Sequence, residues 1–263
     1  MKPDYADKYG DFAILDRSDD GVLTVRFSTD GGPLYWGGSP HRYMPLLFED
    51  IGNDFRNELV ILTGTGNSFI SGLDFGDHQE LSPRFAAKMF RESRRSLQAL
   101  LDIDAPLIAA INGPCRVHAE LAVLCDIVIA TPDTILQDAP HYPAGLVPGD
   151  GVHVVWPALL GPNRGRYFLL MGEEIEAQEL LRLGVIAEVV SPDELMDRAH
   201  AIAAQLMKAP PRVRRYTGTA IRARLRKVLA EDLELGIAIE TVAAMESWPT
   251  GEHGVTPSPD LVQ

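Results

Sequence analysis

The chain has 263 residues, of which 46% are apolar and 23% are charged, and its formal net charge at pH 7 is −13. A chain of this length and composition can bury a substantial core as one large domain, or as one domain with a helical appendage. The negative charge argues against a nucleic-acid or anionic-membrane partner, because such a surface repels phosphate groups.

The cysteines and the N-terminus further limit the class of protein to which the chain can belong. Cys115 and Cys125 lie in an apolar region without a CxxC spacing, so we expect reduced, buried thiols rather than a disulfide or a zinc site. The N-terminal segment is polar and acidic, and no apolar run approaches the roughly 20 residues that span a bilayer. These features predict a cytoplasmic protein with neither a membrane nor a nucleic-acid partner.

The first half of the chain predicts a β-hairpin and then strands that alternate with helices. The hairpin strands are residues 12–16 and 23–27, and the Gly/Pro-rich segment 31–41 predicts a loop that presents Trp36. A short amphipathic helix, a buried strand, a long helix and two further buried strands follow at 45–51, 59–63, 84–101, 106–113 and 126–130. Such alternation is typical of a parallel sheet.

The second half predicts mainly helices. Two helices and a short strand at 186–190 are expected within residues 161–195, and an amphipathic helix at 193–207 begins after Ser191-Pro192. The basic helix at 212–227 is interpreted as a solvated face or a subunit contact, because the whole chain is acidic. An acidic helix at 231–245 follows, and the tail from residue 248 is expected to be disordered.

The residue types most suited to chemistry lie in the middle of the chain. His141 and Asp150 belong to APHYPAGLVPGDGVHVVW, and His118 lies upstream in NGPCRVHAEL, on loops that we expect between apolar strands. Each has a structural alternative, since an aspartate in a PGDG turn is by default a turn residue. Glu120 is open to interpretation as a cap or ion pair at a helix start, and Trp36 as a packing residue.

Three segments carry a resemblance to a known family. VILTGTGNSFISGLDF, PLIAAINGP with AELAVLCDIVIA, and PAGLVPGDG resemble, in order and spacing, segments of the crotonase (enoyl-CoA hydratase/isomerase) superfamily. The resemblance implies an α/β fold, a spiral of repeated ββα units with a C-terminal helical region. It implies a core with the active site at 1–200 and an oligomerisation region at 201–247, assembled as a homotrimer or a dimer of trimers, whereas the disorder expected of the tail at 248–263 rests on its Pro and Gly content.

The chain departs from the superfamily pattern at its active-site positions. The glycine run that follows the NG turn in crotonases, and that binds a thioester oxygen, is replaced by Val117-His118-Ala119. The Pro-Glu pair that carries a hydratase glutamate is replaced by Pro140-His141, whereas Glu120 matches the second hydratase glutamate. These changes resemble the β-diketone hydrolase branch typified by 6-oxocamphor hydrolase, through NGPCRVHAE, QDAPHYPAGLVPGDGVHVVWP and LELGIAIE.

The branch resemblance implies roles for individual residues. His141 and Asp150 would form a catalytic dyad, Glu240 would be a further catalytic carboxylate, and His118 and Trp36 would hold the diketone. No cofactor and no metal are implied. The resemblance implies a bicyclic diketone such as 6-oxocamphor as the substrate. A compact, hydrophobic cyclic diketone is also favoured by apolar loop residues, namely Leu34, Phe69, Leu73, Phe75 and Val147.

The implied reaction is a retro-Claisen hydrolysis, in which water adds to one ketone and an enolate leaves. His141 suits the activation of water, because an unperturbed histidine pKa of about 6.5 leaves it largely neutral at pH 7. Asp150 would fix the tautomer of His141, as the aspartate does in a serine-protease triad. His118 and the Trp36 N–H would stabilise the negative charge.

Two other functions stay open at this point. An acyl-CoA hydratase, isomerase or CoA-ester hydrolase is the general activity of the superfamily, but it needs the glycine-built oxyanion hole that His118 replaces. A non-catalytic trimeric scaffold is the second alternative. Acetyl-CoA binding would distinguish a hydratase, which should bind it, from a diketone hydrolase.

We predict that His141→Ala and Asp150→Asn each lower turnover by orders of magnitude without unfolding the protein. The first removes the base, and the second removes the charge that stabilises the imidazolium. Steady-state rates with circular dichroism of both variants check this, and near-normal rates would contradict the dyad.

Overall fold

The computed structural model describes residues 1–74 and 83–247. Its strands are β1 Ala13–Arg17, β2 Val22–Phe27, β3 Tyr35–Gly37, β4 Leu59–Gly64, β5 Gly72–Asp74, β6 Leu107–Ile111, β7 Ile127–Ala130, β8 Ile135–Leu136, β9 Ile175–Glu176 and β10 Glu188–Val189. Its α-helices are α1 Gly38–Asn53, α2 Pro83–Asp102, α3 Glu120–Val123, α4 Val152–Leu160, α5 Pro162–Met171, α6 Ala177–Arg182, α7 Leu195–Leu206 and α8 Pro211–Ser247. Short 3-10 turns lie at Ala6–Tyr9, Tyr142–Ala144 and Pro192–Glu194.

The main sheet has six strands in the order β1-β2-β4-β6-β7-β10. The hairpin pair β1 and β2 is antiparallel, and every later neighbour pairs in parallel. The predicted hairpin, the buried strands and the parallel sheet are therefore confirmed. Parallel pairing requires a crossover between neighbouring strands, and the helices supply it.

A long strand, a short strand and a helix recur along the chain. β2, β3 and α1 form one such unit, and β4, β5 and α2 form the next. The short strands make a second layer, in which β3 pairs with β5 and single bridges join Ile70 to Cys115 and Cys115 to Leu136. Each ββα unit thus stacks on its predecessor, as expected for the spiral predicted from the sequence.

The central strands are apolar because both of their faces are covered. All residues of β4 and β6 are buried. Leu62 and Ile111 belong to the large core beneath α1 and α2, whereas Ile61 and Ile108 face the opposite side, where Ala199 of α7 packs. Burial of each such Leu or Ile contributes about 1.5–3 kcal/mol relative to exposure, and the loops at the strand ends are held on this rigid base.

Three element assignments from the sequence need correction. Helix α1 begins at Gly38, inside the expected loop, because Pro40 lies in the first turn, where no backbone donor is needed. Residues 152–160 form α4, so the Asp150 loop does not lead into an apolar strand. The two helices predicted at 212–227 and 231–245 are one continuous helix, α8. Short apolar runs do not distinguish a buried helix from a strand.

Arginines of α8 anchor that helix to the core. Arg214 pairs with Glu58 at 2.6 Å, and Arg222 lies 3.4 Å from Asp126. Both arginine side chains are only 5% exposed. The basic helix is therefore not simply a solvated face or a subunit contact, because two of its buried arginines form ion pairs with carboxylates of the same chain.

Two glycines allow α8 to touch the Pro-Gly-Asp-Gly turn. A Cβ added at Gly149 would lie 2.2 Å from the Gly236 carbonyl oxygen and 2.7 Å from Cβ of Glu240. A Cβ added at Gly236 would lie 2.4 Å from the Gly149 carbonyl oxygen and 2.2 Å from Cε1 of His153. The backbones are thus in direct contact, and Glu240, one turn after Gly236, reaches the neighbourhood of Asp150.

None of the described helices is both long enough and apolar enough to cross a bilayer. The predicted disordered tail at 248–263 lies outside the described residues.

We expect Gly236→Ala to lower the free energy of unfolding by about 1–3 kcal/mol, because the added methyl forces a backbone shift in a packed contact. Helix propensity alone would give the opposite sign, a gain of up to about 1 kcal/mol, so the sign of the change is decisive. Urea unfolding measures it. Gly38→Ala is the matched control, since its added Cβ meets nothing within 4 Å. Unchanged or raised stability in Gly236→Ala would contradict the contact.

Candidate active site

His141 lies between carboxylates on both edges of its ring. Nδ1 is 2.6 Å from Oδ1 of Asp138, and because a carboxylate only accepts, the Nδ1–H donates. Nε2 is 3.5 Å from Oδ1 of Asp150 and 3.9 Å from Oε1 of Glu240. The predicted pairing with Asp150 is present, but on the Nε2 side, so Asp150 does not occupy the Nδ1 position of a triad aspartate.

His118 is held in a similar way. Its Nδ1 is 2.7 Å from Oε1 of Glu120 and 3.6 Å from Oδ2 of Asp150. The residue has a left-handed backbone with φ of 50°, a conformation that glycine adopts freely and other residues rarely do. His118 therefore keeps a glycine-like main chain where crotonases carry glycine, and its side chain adds an imidazole to the site.

Trp36 forms an aromatic wall against His118. Their ring centroids are 4.0 Å apart, and the indole is 2% exposed. The Trp36 Nε1–H has no hydrogen-bond partner among the described residues. Because a buried donor without a partner costs about 1–3 kcal/mol, this N–H is available for a ligand oxygen.

A second buried histidine supports this wall. His41 contacts Oε2 of Glu92 through Nδ1 at 3.1 Å and Oγ of Ser93 through Nε2 at 3.0 Å. Its ring lies 6.4 Å from that of Trp36. A cavity of about 20 Å³ runs beside Trp36, His41, Ser93, His118, Glu120 and Asp150, among others, and this volume admits about one water.

Local backbone contacts fix the loop that carries His141. The Ala139 N–H donates to the Arg116 carbonyl at 3.0 Å, and the amides of Ala144 and Leu146 both donate to the His141 carbonyl at 2.9 Å. The first of these contacts connects the His141 loop to the segment before His118, and the other two close the loop on itself. The imidazole is therefore presented from a fixed main chain, which catalytic geometry requires.

The charges of the site shift its proton affinities. Burial lowers the pKa of His141, but the negative charges of Asp138 and Asp150 raise it well above its ordinary value. Burial raises the pKa of Asp150, yet the charges of His141 and His118 bring it below its usual range. The two carboxylates therefore stabilise the protonated form of His141, whereas the expectation from the sequence rested on an unperturbed histidine pKa.

The pKa values of Glu240 and Glu120 are raised, whereas that of Asp150 is lowered. Burial and the Asp150 charge raise the pKa of Glu240 to about 8, with His141 and His118 opposing. Burial likewise raises the pKa of Glu120, against the charge of His118. The pKa of His118 is lowered by burial, but the neighbouring Glu120 and Asp150 raise it overall. At neutral pH, Glu240 is thus a candidate proton donor.

Two groups of side chains in the described residues have the composition of metal ligands. His118, Glu120 and Asp150 form one group, and His141, Asp150 and Glu240 form the other, with ligand atoms within 4.8 Å of one another. Both share Asp150, and each already contains an imidazole facing a carboxylate. That the reaction needs no metal stays a prediction.

The site brings together most of the predicted residues. His118, His141, Asp150, Glu240 and Trp36 lie within one cluster of contacts. Leu73 pairs in register with Trp36 across β3 and β5 and stays half-buried. Phe75 lies outside the described residues.

Two apolar residues that the sequence analysis associated with the substrate, Leu34 and Phe69, lie in the core instead, and Leu34 is 0% exposed. Phe69 is fully buried and packs edge to face on Phe27, with ring centroids 5.5 Å apart. It belongs to the core, because no part of its side chain is exposed to a ligand. The sequence reasoning also missed Asp138, His41 and Glu92. Asp138 precedes His141 by three residues in QDAPH, whereas nothing in the sequence connects Glu92 with His41.

Comparison with known proteins identifies the family. The sequence profile described as enoyl-CoA hydratase/isomerase matches residues 44–246. The chain belongs to the crotonase superfamily. It is 29% identical over 212 residues to a short-chain-enoyl-CoA hydratase of Clostridium acetobutylicum, covering 80% of this chain and 79% of the relative.

Solved crotonase structures include both reaction types. ABDH, a β-diketone hydrolase from Anabaena sp. PCC 7120 bound to (S)-3-oxocyclohexyl acetic acid, is 42% identical, with a TM-score of 0.89 and coverage of 93% of this chain and 98% of that chain. An enoyl-CoA hydratase/isomerase from Mycobacterium paratuberculosis is 25% identical, with a TM-score of 0.81 and coverage of 89% and 94%. The predicted superfamily and the resemblance to β-diketone hydrolases are confirmed.

Glu240→Gln should change how stability depends on pH. An acid whose pKa is about 8 when folded, against about 4.5 otherwise, binds its proton more tightly in the folded state. The Glu240 contribution is therefore present below pH 4.5 and lost as pH rises through 8. Glutamine does not ionise, so the Glu240→Gln variant does not lose this contribution to stability as the pH rises.

The free energy of unfolding of Glu240→Gln, relative to the unchanged protein, should thus rise between these pH values by up to about 1.4 kcal/mol per pH unit. Denaturant unfolding across this window measures it. Glu246→Gln, an exposed change on the same helix, is the control and should show no trend. A relative stability of Glu240→Gln that is flat with pH would contradict the raised pKa.

Proposed function

We propose that this crotonase is a β-diketone hydrolase that cleaves a carbon–carbon bond of a cyclic diketone by a retro-Claisen reaction. The observation that carries the proposal is the 42% identity with ABDH over 93% of the chain. The ligand of that structure, (S)-3-oxocyclohexyl acetic acid, is a ring-bearing keto acid. Formal removal of water from it, joining the carboxyl carbon to the ketone's far α-carbon, gives a bicyclic 1,3-diketone. A bicyclic substrate such as 6-oxocamphor therefore remains our first choice.

The first step is addition of water to one ketone. Nε2 of His141 accepts a proton as the water oxygen bonds to the carbonyl carbon, and the ketone oxygen becomes an oxyanion. The unpartnered Trp36 N–H and the His118 imidazole are the donors proposed for that oxygen. Loss of one such donor typically raises a barrier by about 3 kcal/mol.

The second step is collapse of the adduct. The carbon–oxygen double bond re-forms as a carboxylic acid, and the electron pair of the broken carbon–carbon bond passes to the second carbonyl as an enolate. A proton from His141, or from Glu240, whose pKa is about 8, then returns to the enolate carbon. One diketone and one water give one keto acid, and the proton count of the site is restored.

The charge on His141 sets the pH dependence of this mechanism. Only the neutral imidazole accepts a proton from water, and Asp138 and Asp150 raise the pKa of His141 well above its ordinary value. The acid limb of kcat/KM should therefore lie above the ordinary histidine value of about 6.5.

Hydration of an enoyl thioester is the second candidate. This function is favoured by the sequence similarity to the hydratase of Clostridium acetobutylicum. It is also favoured by the buried Glu120, which matches a hydratase glutamate. Two residues oppose it: His118 fills the glycine position, and His141 replaces the other glutamate.

We extend the proposal to assembly as a homotrimer or a dimer of trimers in the cytoplasm. The support is an apolar, exposed side of α8, made by Val213, Tyr216, Ile221, Leu235, Ile239, Val242 and Met245. Such a surface is unusual on a monomer. Light scattering of the purified protein distinguishes monomer, trimer and hexamer, and a monomer would refute the proposal.

The reaction is tested by mixing the purified protein with 6-oxocamphor or bicyclo[2.2.2]octane-2,6-dione and following the loss of ultraviolet absorbance, with crotonyl-CoA in parallel. We expect turnover of a diketone to a keto acid, no turnover of crotonyl-CoA, and full activity after dialysis against a chelator. His141→Ala should be inactive, whereas His200→Ala, an exposed change on α7, should be unaffected. Turnover of the thioester alone would overturn the proposal and make Glu120 the central residue.

A further inference from the structure

We infer that Asp138, rather than Asp150, is the residue that positions His141. The two carboxylates lie on opposite edges of the imidazole. Asp138 is 2.6 Å from Nδ1, a short charge-assisted hydrogen bond, whereas Asp150 is 3.5 Å from Nε2, which is longer than such a bond. Since a carboxylate accepts only, the shorter contact fixes the proton on Nδ1 and leaves Nε2 facing the reacting atoms.

Asp138 is built into the loop as a fixed partner of His141. Its side chain is 3% exposed, and its second oxygen, Oδ2, has no hydrogen-bond partner among the described residues. A buried carboxylate is costly unless a cation or donor faces it. His141 is the only side chain that hydrogen-bonds to the Asp138 carboxylate in the described residues, so the cost of burial is offset mainly by that imidazole.

This assignment gives Asp150 a different task. Its Oδ1 faces His141 and its Oδ2 faces His118, at 3.5 and 3.6 Å. Asp150 therefore contacts both imidazoles, and it lies at the Nε2 edge of His141, where the proposed mechanism activates water. Asp138 acts through His141, which makes it a positioning residue.

The first test needs no variant. Histidine is labelled with ¹⁵N, and the His141 nitrogens are followed by NMR as the pH is raised, with His141→Ala used to assign the signals. We expect Nε2 to lose its proton while Nδ1 keeps one, with a far-downfield proton signal from the short hydrogen bond. Loss of the proton from Nδ1 instead would overturn the inference.

The second test compares three aspartate variants. Asp138→Asn should abolish the far-downfield signal, whereas Asp150→Asn and the control Asp193→Asn, an exposed change before α7, should retain it. Circular dichroism and thermal unfolding identify any variant that fails to fold. If a variant does not fold, the NMR titration of the protein without substitutions still tests the assignment of Asp138. A signal that persists in Asp138→Asn, or that vanishes in folded Asp150→Asn, would refute the assignment.

Kinetics provide the third readout and rest on the proposed function. Asp138→Asn should lower kcat for the diketone by about 10²–10⁴-fold with KM changed only a few-fold, because the substrate does not touch Asp138. The acid limb of its pH profile should move to lower pH, since one negative charge beside His141 is lost. A rate within twofold of the unchanged protein would contradict a positioning role. If the unchanged protein hydrolyses no diketone, the proposed function fails while the NMR experiments still decide this inference.

Discussion

The carboxylate of Asp150 lies between two imidazoles, and the rest of the site depends on this contact. One oxygen faces His141 and the other faces His118, at 3.5 and 3.6 Å. Each imidazole in turn meets a further carboxylate, Asp138 or Glu120. Carboxylates and imidazoles therefore alternate along a buried row, so each group offsets part of the desolvation cost of its neighbours. Removal of either imidazole leaves its two neighbouring carboxylates without a cation between them.

The fold holds this row by joining parts of the chain that are distant in sequence. The parallel strand β6 is followed by the loop that carries His118, and the short strand β8 is followed by the loop that carries His141, while Asp150 lies in a turn before α4. Glu240 comes from α8, and it reaches the row because Gly149 and Gly236 let two backbones touch. The C-terminal helix is thus part of the active site as well as of the outer surface.

The sequence predicted the parts of the molecule that local patterns control. The apolar runs of β4 and β6 follow from burial on both faces, and the motifs around His141 identified the family and most site residues. Tertiary packing controls what was missed. Residues 152–156 form a helix although they are rich in β-branched residues. The side chain of Phe69 points into the core rather than towards a ligand. Which carboxylate contacts Nδ1 of His141 depends on the directions of the side chains, which the sequence does not show.

His118 has a main-chain conformation in which φ is 50°. For a non-glycine residue this conformation costs about 1–3 kcal/mol, which the contacts with Glu120 and Trp36 help to offset. Glycine at this position would follow the same course of the main chain without that cost. Exchange between glycine and histidine here therefore adds or removes an imidazole on an unaltered scaffold.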